Sequence, residues 1–424
     1  MKKIILASLA VAATLASCEK TSEIDTAITS TQTAMKFTTY ASGATTKGDP
    51  VDSNTEFKGT DNSFMVSAYF TATAEGNTGK YFAFSEVAYD YTGGAWANQS
   101  DMYWPNEDGN LYFGAYYPGD ATFTTTPTYV YGDDHSLGFG YTVGATVADH
   151  EDIMYAIKTL EYDGTEDAVN LHFKHALTQV GFTATADSDI SVTVSSITVC
   201  NVMNGGTFSA TKVTDDSEDE DETVAAASVD TDNFGGWTVG ETFANYAVAM
   251  AFEEGESAIT VGSTATTLTD ADDALMLIPQ ALTAWVPGTD GSGTESYLAI
   301  KCTIKHAAPI ADADVTYASI IDGYVFVPFS TADIKYEDTN TTDGQWNPGY
   351  KITYNLHFGG GYTIPGFDPD DEDGEDDLPE PGETPDDIDD DVIETLRAIT
   401  YTISVDEWIP ASGGTVSFGT TEEA

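Results

Sequence analysis

Short apolar and aromatic runs, bounded by Gly, Asn, Asp and Pro, recur along this chain, and most of them alternate with a period of two. Residues 64–70, 81–84, 111–117, 191–194, 297–304, 324–327 and 350–358 are β-branched or aromatic segments of this kind. Such segments are strands. No stretch of twelve or more residues carries a convincing helical apolar face, and His175-Ala176-Leu177 and Thr331-Ala332-Asp333-Ile334 suit single turns. Many short strands at this spacing predict an all-β chain built from β-sandwiches.

The strictest alternation comes last. Ile399, Tyr401, Ile403 and Val405 share one face, and Thr400, Thr402, Ser404 and Asp406 the other. Before this strand lies a tether, residues 366–394, dominated by Asp, Glu and Pro. Such a tether repels itself and reads as an extended, disordered linker. A strand this regular needs a sheet, either in its own chain, as is usual, or in another. A second acidic run, residues 215–222, reads as a solvated loop, and residues 19–34, rich in Thr and Ser, read as a spacer.

At the other end Lys2 and Lys3 lead an apolar run, residues 4–15, into Leu15-Ala16-Ser17-Cys18. The run is shorter than the about 20 residues a bilayer span needs, and the small residues before Cys18 match a lipoprotein signal peptide. Lipidation at Cys18 is therefore expected, tethering an exported domain to a membrane face. The chain then divides into a leader (1–17), a spacer (18–34), two sandwiches (35–165 and 166–360), an acidic linker (361–394) and a C-terminal strand segment (395–424).

Composition narrows the function. The chain of 424 residues is 41% hydrophobic and 12% aromatic, enough for real cores, yet it carries 70 acidic against 15 basic residues for a net charge of −55. Such a surface repels phosphates, which excludes nucleic acid as a partner. It also repels anionic headgroups, which leaves membrane attachment to the lipid. Besides Cys18 there are two cysteines, Cys200 and Cys302; an exported domain permits a disulfide between them, and two buried thiols are the other reading.

No motif singles out a catalytic group. The six histidines form no metal signature, and His172 and His175, three apart, point to opposite faces of a strand. Asp371, Asp373, Gly374 and Glu380 mimic part of a calcium loop whose first ligand position is Pro369, which cannot coordinate through its side chain. No metal, cofactor or catalysis is expected. Trp96, Tyr103 and Trp104 offer either a glycan platform or core packing.

Several motifs stand in an order that resembles the Bacteroidota fimbrillin (FimA/Mfa-like) family. They are Tyr103-Trp104-Pro105 with Leu111-Tyr112-Phe113-Gly114-Ala115-Tyr116-Tyr117-Pro118, then Asp152-Ile153-Met154-Tyr155-Ala156, then His172-Phe173-Lys174-His175-Ala176-Leu177. Leu277-Ile278-Pro279-Gln280, Trp346-Asn347-Pro348-Gly349-Tyr350 and Val405-Asp406-Glu407-Trp408 follow. The resemblance implies two tandem transthyretin-like β-sandwiches and a lipoprotein precursor of a surface fimbrium. It also implies that a trypsin-like protease removes an N-terminal strand, and that a neighbour's strand fills the groove by strand addition. On this chain the removable strand is residues 35–40, with Met35, Phe37 and Thr39 on one face, and the cleavage follows Lys47. The family's better-known pattern cleaves after arginine, and the one arginine here is Arg397. The donor strand is Ile399, Tyr401, Ile403 and Val405, with Trp408 as its plug.

The leading expectation is thus a non-enzymatic fimbrial subunit or accessory subunit at the cell surface. Its partners are other fimbrial subunits through strand exchange, the outer membrane through lipid, and a host or bacterial surface ligand in adhesion. The alternative is a monomeric surface lipoprotein that binds glycan through exposed aromatics.

Overall fold

A computed structural model describes residues 34–40, 57, 62–72, 80–92, 95–97, 102–105, 107–130, 135–162, 168–211, 235–270, 273–286, 293–306, 320–336, 341–359, 378–385 and 399–408. Cys18 and Lys47 lie outside these residues. The first ten strands are β1 (Phe37–Tyr40), β2 (Ser63–Ala72), β3 (Lys80–Thr92), β4 (Ala95–Ala97), β5 (Gly109–Tyr117), β6 (Thr125–Val130), β7 (Ser136–Thr142), β8 (Met154–Tyr162), β9 (Val169–His172) and β10 (Lys174–His175). Next come β11 (Thr178–Ala186), β12 (Ile190–Met203), β13 (Gly205–Thr211), β14 (Gly236–Val239), β15 (Phe243–Ala247), β16 (Ile259–Val261), β17 (Thr266–Thr267) and β18 (Leu275–Leu277). The last four are β19 (Tyr297–His306), β20 (Ile320–Pro328), β21 (Tyr350–Phe358) and β22 (Ile399–Glu407). The chain is all-β, as its alternation predicts.

A six-stranded sheet, β10-β8-β5-β2-β3-β4, and the parallel pair β1-β9 enclose the first core. Phe64, Val66, Leu111, Phe113 and Ala115 fill it from the large sheet, and Phe37, Val169 and Leu171 from the small one. Alternation explains this: β5 buries Leu111, Phe113 and Ala115, each two residues on.

Three further sheets, β17-β11-β21-β22, β15-β12-β19-β20 and β14-β13-β7-β6, surround the larger second core. Partner choice here crosses the boundary drawn from sequence at 165/166. The β6–β7 hairpin pairs with β13 and sends Tyr129, Leu137, Phe139 and Tyr141 into the second core, while β9 packs in the first. The physical reason is close approach. A Cβ on Gly205 would lie 2.7 Å from the Tyr141 carbonyl, so glycine lets β13 and β7 pack together.

Strand β12 runs fourteen residues and could not keep one face throughout without help. Opposite β19 the register slips between Val194 and Ser196, a bulge at Ser195 whose Oγ donates to the Lys301 carbonyl at 3.0 Å. The slip inverts the parity, so Val192 and Val194 before it and Ile197 and Val199 after it all enter the second core. A second irregularity follows at Asn201, whose φ of 58° is left-handed. It returns Val202 to the second core, while Cys200, alternating with Val199, faces the other side of the sheet, where it packs with Trp285, Tyr297 and Ala299.

Cys200 and Cys302 are both buried and free. Cys302 sits opposite Val194 on the ladder, and Cys200 opposite Tyr297, so six residues of strand separate them, roughly 20 Å. A disulfide needs Cα atoms within about 7 Å, and burial pushes both thiols up to about 12. They are inert core residues.

Candidate functional site: two terminal edge strands

Among the described residues, the first strand and the last each pair with one other strand. β1 pairs in parallel with β9, Phe37 opposite Val169 through Tyr40 opposite His172. β22 pairs antiparallel with β21, Ile399 opposite Phe358 through Glu407 opposite Tyr350.

In β1 the alternation places Met35, Phe37 and Thr39 in the core and leaves Lys36 and Thr38 exposed. Phe37 stands edge-on to Tyr89 at 4.8 Å, Phe113 at 5.9 Å and Phe64 at 6.1 Å. Thr39 accepts the indole N–H of Trp96 at 2.6 Å. This strand therefore supplies side chains that the first core cannot close without. Its backbone, by contrast, engages one ladder, the Met35 N–H bond to Met102 and the bridge of Ala34 to Tyr103.

In β22 the pattern read from sequence holds, and the seat is the chain's own second core. Ile399, Tyr401, Ile403 and Val405 are half-buried against it, while Thr400, Thr402 and Ser404 are exposed. Tyr401 accepts the Ser330 N–H through its hydroxyl at 3.0 Å and meets Tyr354 edge-on at 5.5 Å. Asn355 on β21 donates to the Ser404 hydroxyl at 3.0 Å. Half-buried side chains of this size stabilise by about 1 kcal/mol each, against about 1–2 kcal/mol per residue lost in ordering the backbone. The strand thus depends on its main-chain ladder and on the tryptophan at its C-terminal end.

That tryptophan, Trp408, is 2% exposed. Its backbone N–H donates to the Gly349 carbonyl at 2.7 Å, and its ring stacks on His175 with centroids 3.8 Å apart. His175 is itself buried, its Nδ1 2.9 Å from Asp152 Oδ1. The Asp152 and His175 motifs, read separately in the sequence, meet here under the C-terminal tryptophan.

The aromatics weighed as a glycan platform are mostly interior. Trp96 is packed among Phe57, Phe64 and Tyr91, and Trp104 stacks on Tyr162 at 5.0 Å. Tyr103 alone of the three is exposed, at 40%. Among the described residues no three His, Cys, Asp or Glu side chains converge on a metal-sized site. Of the partial calcium loop, Asp371, Asp373 and Gly374 lie outside the described residues and Glu380 is exposed.

The profile of fimbrillin-like proteins matches residues 50–369. The chain belongs to the fimbrillin-like family. Among solved structures it is similar to a fimbrial protein from Bacteroides vulgatus, at 16% identity over 88% of this chain and 99% of that one, with a TM-score of 0.48. It is also similar to the tip fimbrial protein Mfa3 from Porphyromonas gingivalis with C-terminal truncation, at 9% identity over 87% and 98% and a TM-score of 0.35. No curated protein matches the chain. The fimbrillin-like assignment rests on the profile, which spans most of both cores, and it supports a fimbrial subunit role at the cell surface in contact with other fimbrial subunits.

Three features of the site were not anticipated from sequence: Asp152 and His175 beneath Trp408, the left-handed Asn201, and an ordered stretch inside the acidic tether. The tether reads as disordered from its charge, yet residues 378–385 rest on the second sandwich through Asn201 and Asn245. Backbone hydrogen bonds and one leucine hold it there, and its carboxylates are left to solvent. Pro381-Gly382 was the available signal, a turn pair inside a charged run.

Proposed function

We propose that this protein is a fimbrial subunit or accessory subunit that assembles by exchange of its terminal strands. The chain is made as a precursor lipidated at Cys18 and held on the outer membrane. Cleavage after Lys47 releases β1 and opens a groove between β9 and the six-stranded sheet. The Ile399, Tyr401, Ile403 and Val405 face of a neighbour's C-terminal strand then enters, with Trp408 closing the end.

The observation that carries this reading is the attachment of β1. Its side chains complete a core, as Phe37 does among the rings of Phe64, Tyr89 and Phe113, while among the described residues its backbone ladder runs to one strand, β9. A strand of that kind leaves a vacancy another alternating strand can fill, with main-chain bonds for affinity and alternate pockets for selection. β22 suits the donor role because its apolar face is half-buried in its present seat and a long tether precedes it. The repeated exposure of an edge is a hazard in most proteins, and controlled pairing converts it to use.

The test is direct. Delipidated protein is treated with trypsin and run without boiling in SDS. SDS-resistant ladders are expected, and they vanish when residues 399–405 are deleted. A trimmed product that stays monomeric overturns the reading.

A further inference from the structure

Asn201 holds a part of the chain that lies nearly two hundred positions away. It is 1% exposed, and its carboxamide is used on both sides: Nδ2 donates to the Glu295 carbonyl at 3.0 Å and the Glu383 carbonyl at 2.7 Å, and Oδ1 accepts the Gly382 N–H at 2.8 Å. Asn245, whose Oδ1 accepts the Asn201 N–H at 3.1 Å, donates through Nδ2 to the Pro379 carbonyl at 2.8 Å. Two asparagines therefore grip the backbone of the acidic tether at three points.

The gripped segment is shaped for the purpose. Glu380-Pro381-Gly382-Glu383 closes on a hydrogen bond from the Glu383 N–H to the Glu380 carbonyl at 3.0 Å, and Gly382 has φ +91°. Proline second and a positive-φ glycine third are the residues a type II turn requires. Just before the turn, Leu378 packs on the cluster of Cys200, Trp285, Tyr297 and Ala299, beside Tyr324 and Phe326. A Cβ on Gly293 would stand 2.4 Å from the Gly382 carbonyl, so the facing loop is bare where the turn approaches. Glu380 and Glu383 themselves are exposed. Recognition runs through backbone shape and one leucine.

We propose that Asn201, Asn245 and the Trp285–Tyr297 cluster form a docking site for the Leu378–Glu383 turn of this chain, and that the turn stays docked whether or not β22 is seated. The pivot of the C-terminal strand is then at Pro385, not at the end of β21. This deepens the strand-exchange reading and, for its functional consequence, rests on it. From Pro385 the stretch 386–398 extends at most about 45 Å, whereas the whole of 360–398 would extend roughly 130 Å. The clasp thus confines a released strand to a near neighbour on one side of the second sandwich and raises its effective concentration there.

Hydrogen–deuterium exchange on the full chain separates the two events. Ile403→Asp places a charge on the buried side of β22. In that variant β22 amides are expected to exchange about tenfold faster or more, while peptides covering 378–385 keep their protection. Asn201→Gly keeps the left-handed backbone and deletes the carboxamide; it is expected to release 378–385 and leave β22 protected. Leu378→Ser, outside every strand, should do the same if the glycine variant folds poorly. Loss of 378–385 protection together with β22 in Ile403→Asp, or full protection in both clasp variants, overturns the proposal. None of these readouts depends on polymerisation, so absence of SDS-resistant ladders leaves the clasp separately decidable.

Discussion

The indole of Trp408 lies flat on the imidazole of His175, their planes 5° apart. This contact joins the last described residue of the chain to the segment that links the two cores, and Asp152 fixes the imidazole at its edge through Nδ1. The C-terminal strand is therefore latched at its far end, beyond its half-buried apolar face.

Removal of the latch should loosen the strand and little else. Trp408→Ala is expected to take about 3 kcal/mol from the free energy of opening β22, the usual scale for loss of a buried tryptophan. Amide exchange across 399–407 measures it. Trp408→Phe should recover much of the loss, and equal exchange in wild type and Trp408→Ala would show that the stack carries no weight.

Phe37→Ala should strike the first core. The ring is enclosed by Phe64, Tyr89 and Phe113, and its loss leaves a cavity worth about 3–5 kcal/mol. Thermal unfolding of the uncleaved chain should show a lowered first-core transition. Lys36→Ala, on the exposed side of the same segment, should leave it unchanged.

His150 should make stability fall on mild acidification. It is fully buried beside Tyr246, accepts the Met276 N–H through Nδ1, and burial lowers its titration to about 4. The unfolded chain takes up the proton near 6.5, so the folded state is favoured in full above that value. Between about 6.5 and 4 the unfolded state binds more protons, and stability is lost by up to about 3 kcal/mol. Urea midpoints at pH 7 and 4.5, compared between wild type and His150→Gln, isolate this part from the carboxylates. An unchanged pH dependence in the variant would remove His150 from the account.

The two core thiols should be silent. Iodoacetamide is expected to leave Cys200 and Cys302 unmodified in the folded protein and to modify both in denaturant, as intact mass reports. A disulfide between them, blocking alkylation in denaturant until it is reduced, would contradict the ladder that separates them.

Salt should favour association between copies. With a net charge of −55, like-charged subunits repel at low ionic strength, and screening shortens that repulsion to about 8 Å at physiological salt. The yield of SDS-resistant ladders should therefore rise with added sodium chloride. A fall would point to specific ion pairs between subunits instead.

Alternation alone settled much here. Met35, Phe37 and Thr39, and likewise Ile399, Tyr401, Ile403 and Val405, could be placed on one face each because successive side chains of a strand must point oppositely. The all-β class followed from the same rule. Which strands meet could not be read in this way. β22 is equally regular whether it lies on β21 or elsewhere, β9 alternates as well against β1 as against a later strand, and the β6–β7 hairpin carries no mark of β13. Pairing brings together residues far apart in the chain, and only the shared core chooses among strands of similar pattern. The same holds at finer scale. The bulge at Ser195 and the left-handed Asn201 reverse the facing of β12 twice, and residues 378–385 lie ordered within an acidic run because two asparagines and an apolar cluster, remote in sequence, meet them there. Local pattern determined what each segment is, and long-range packing decided where it goes.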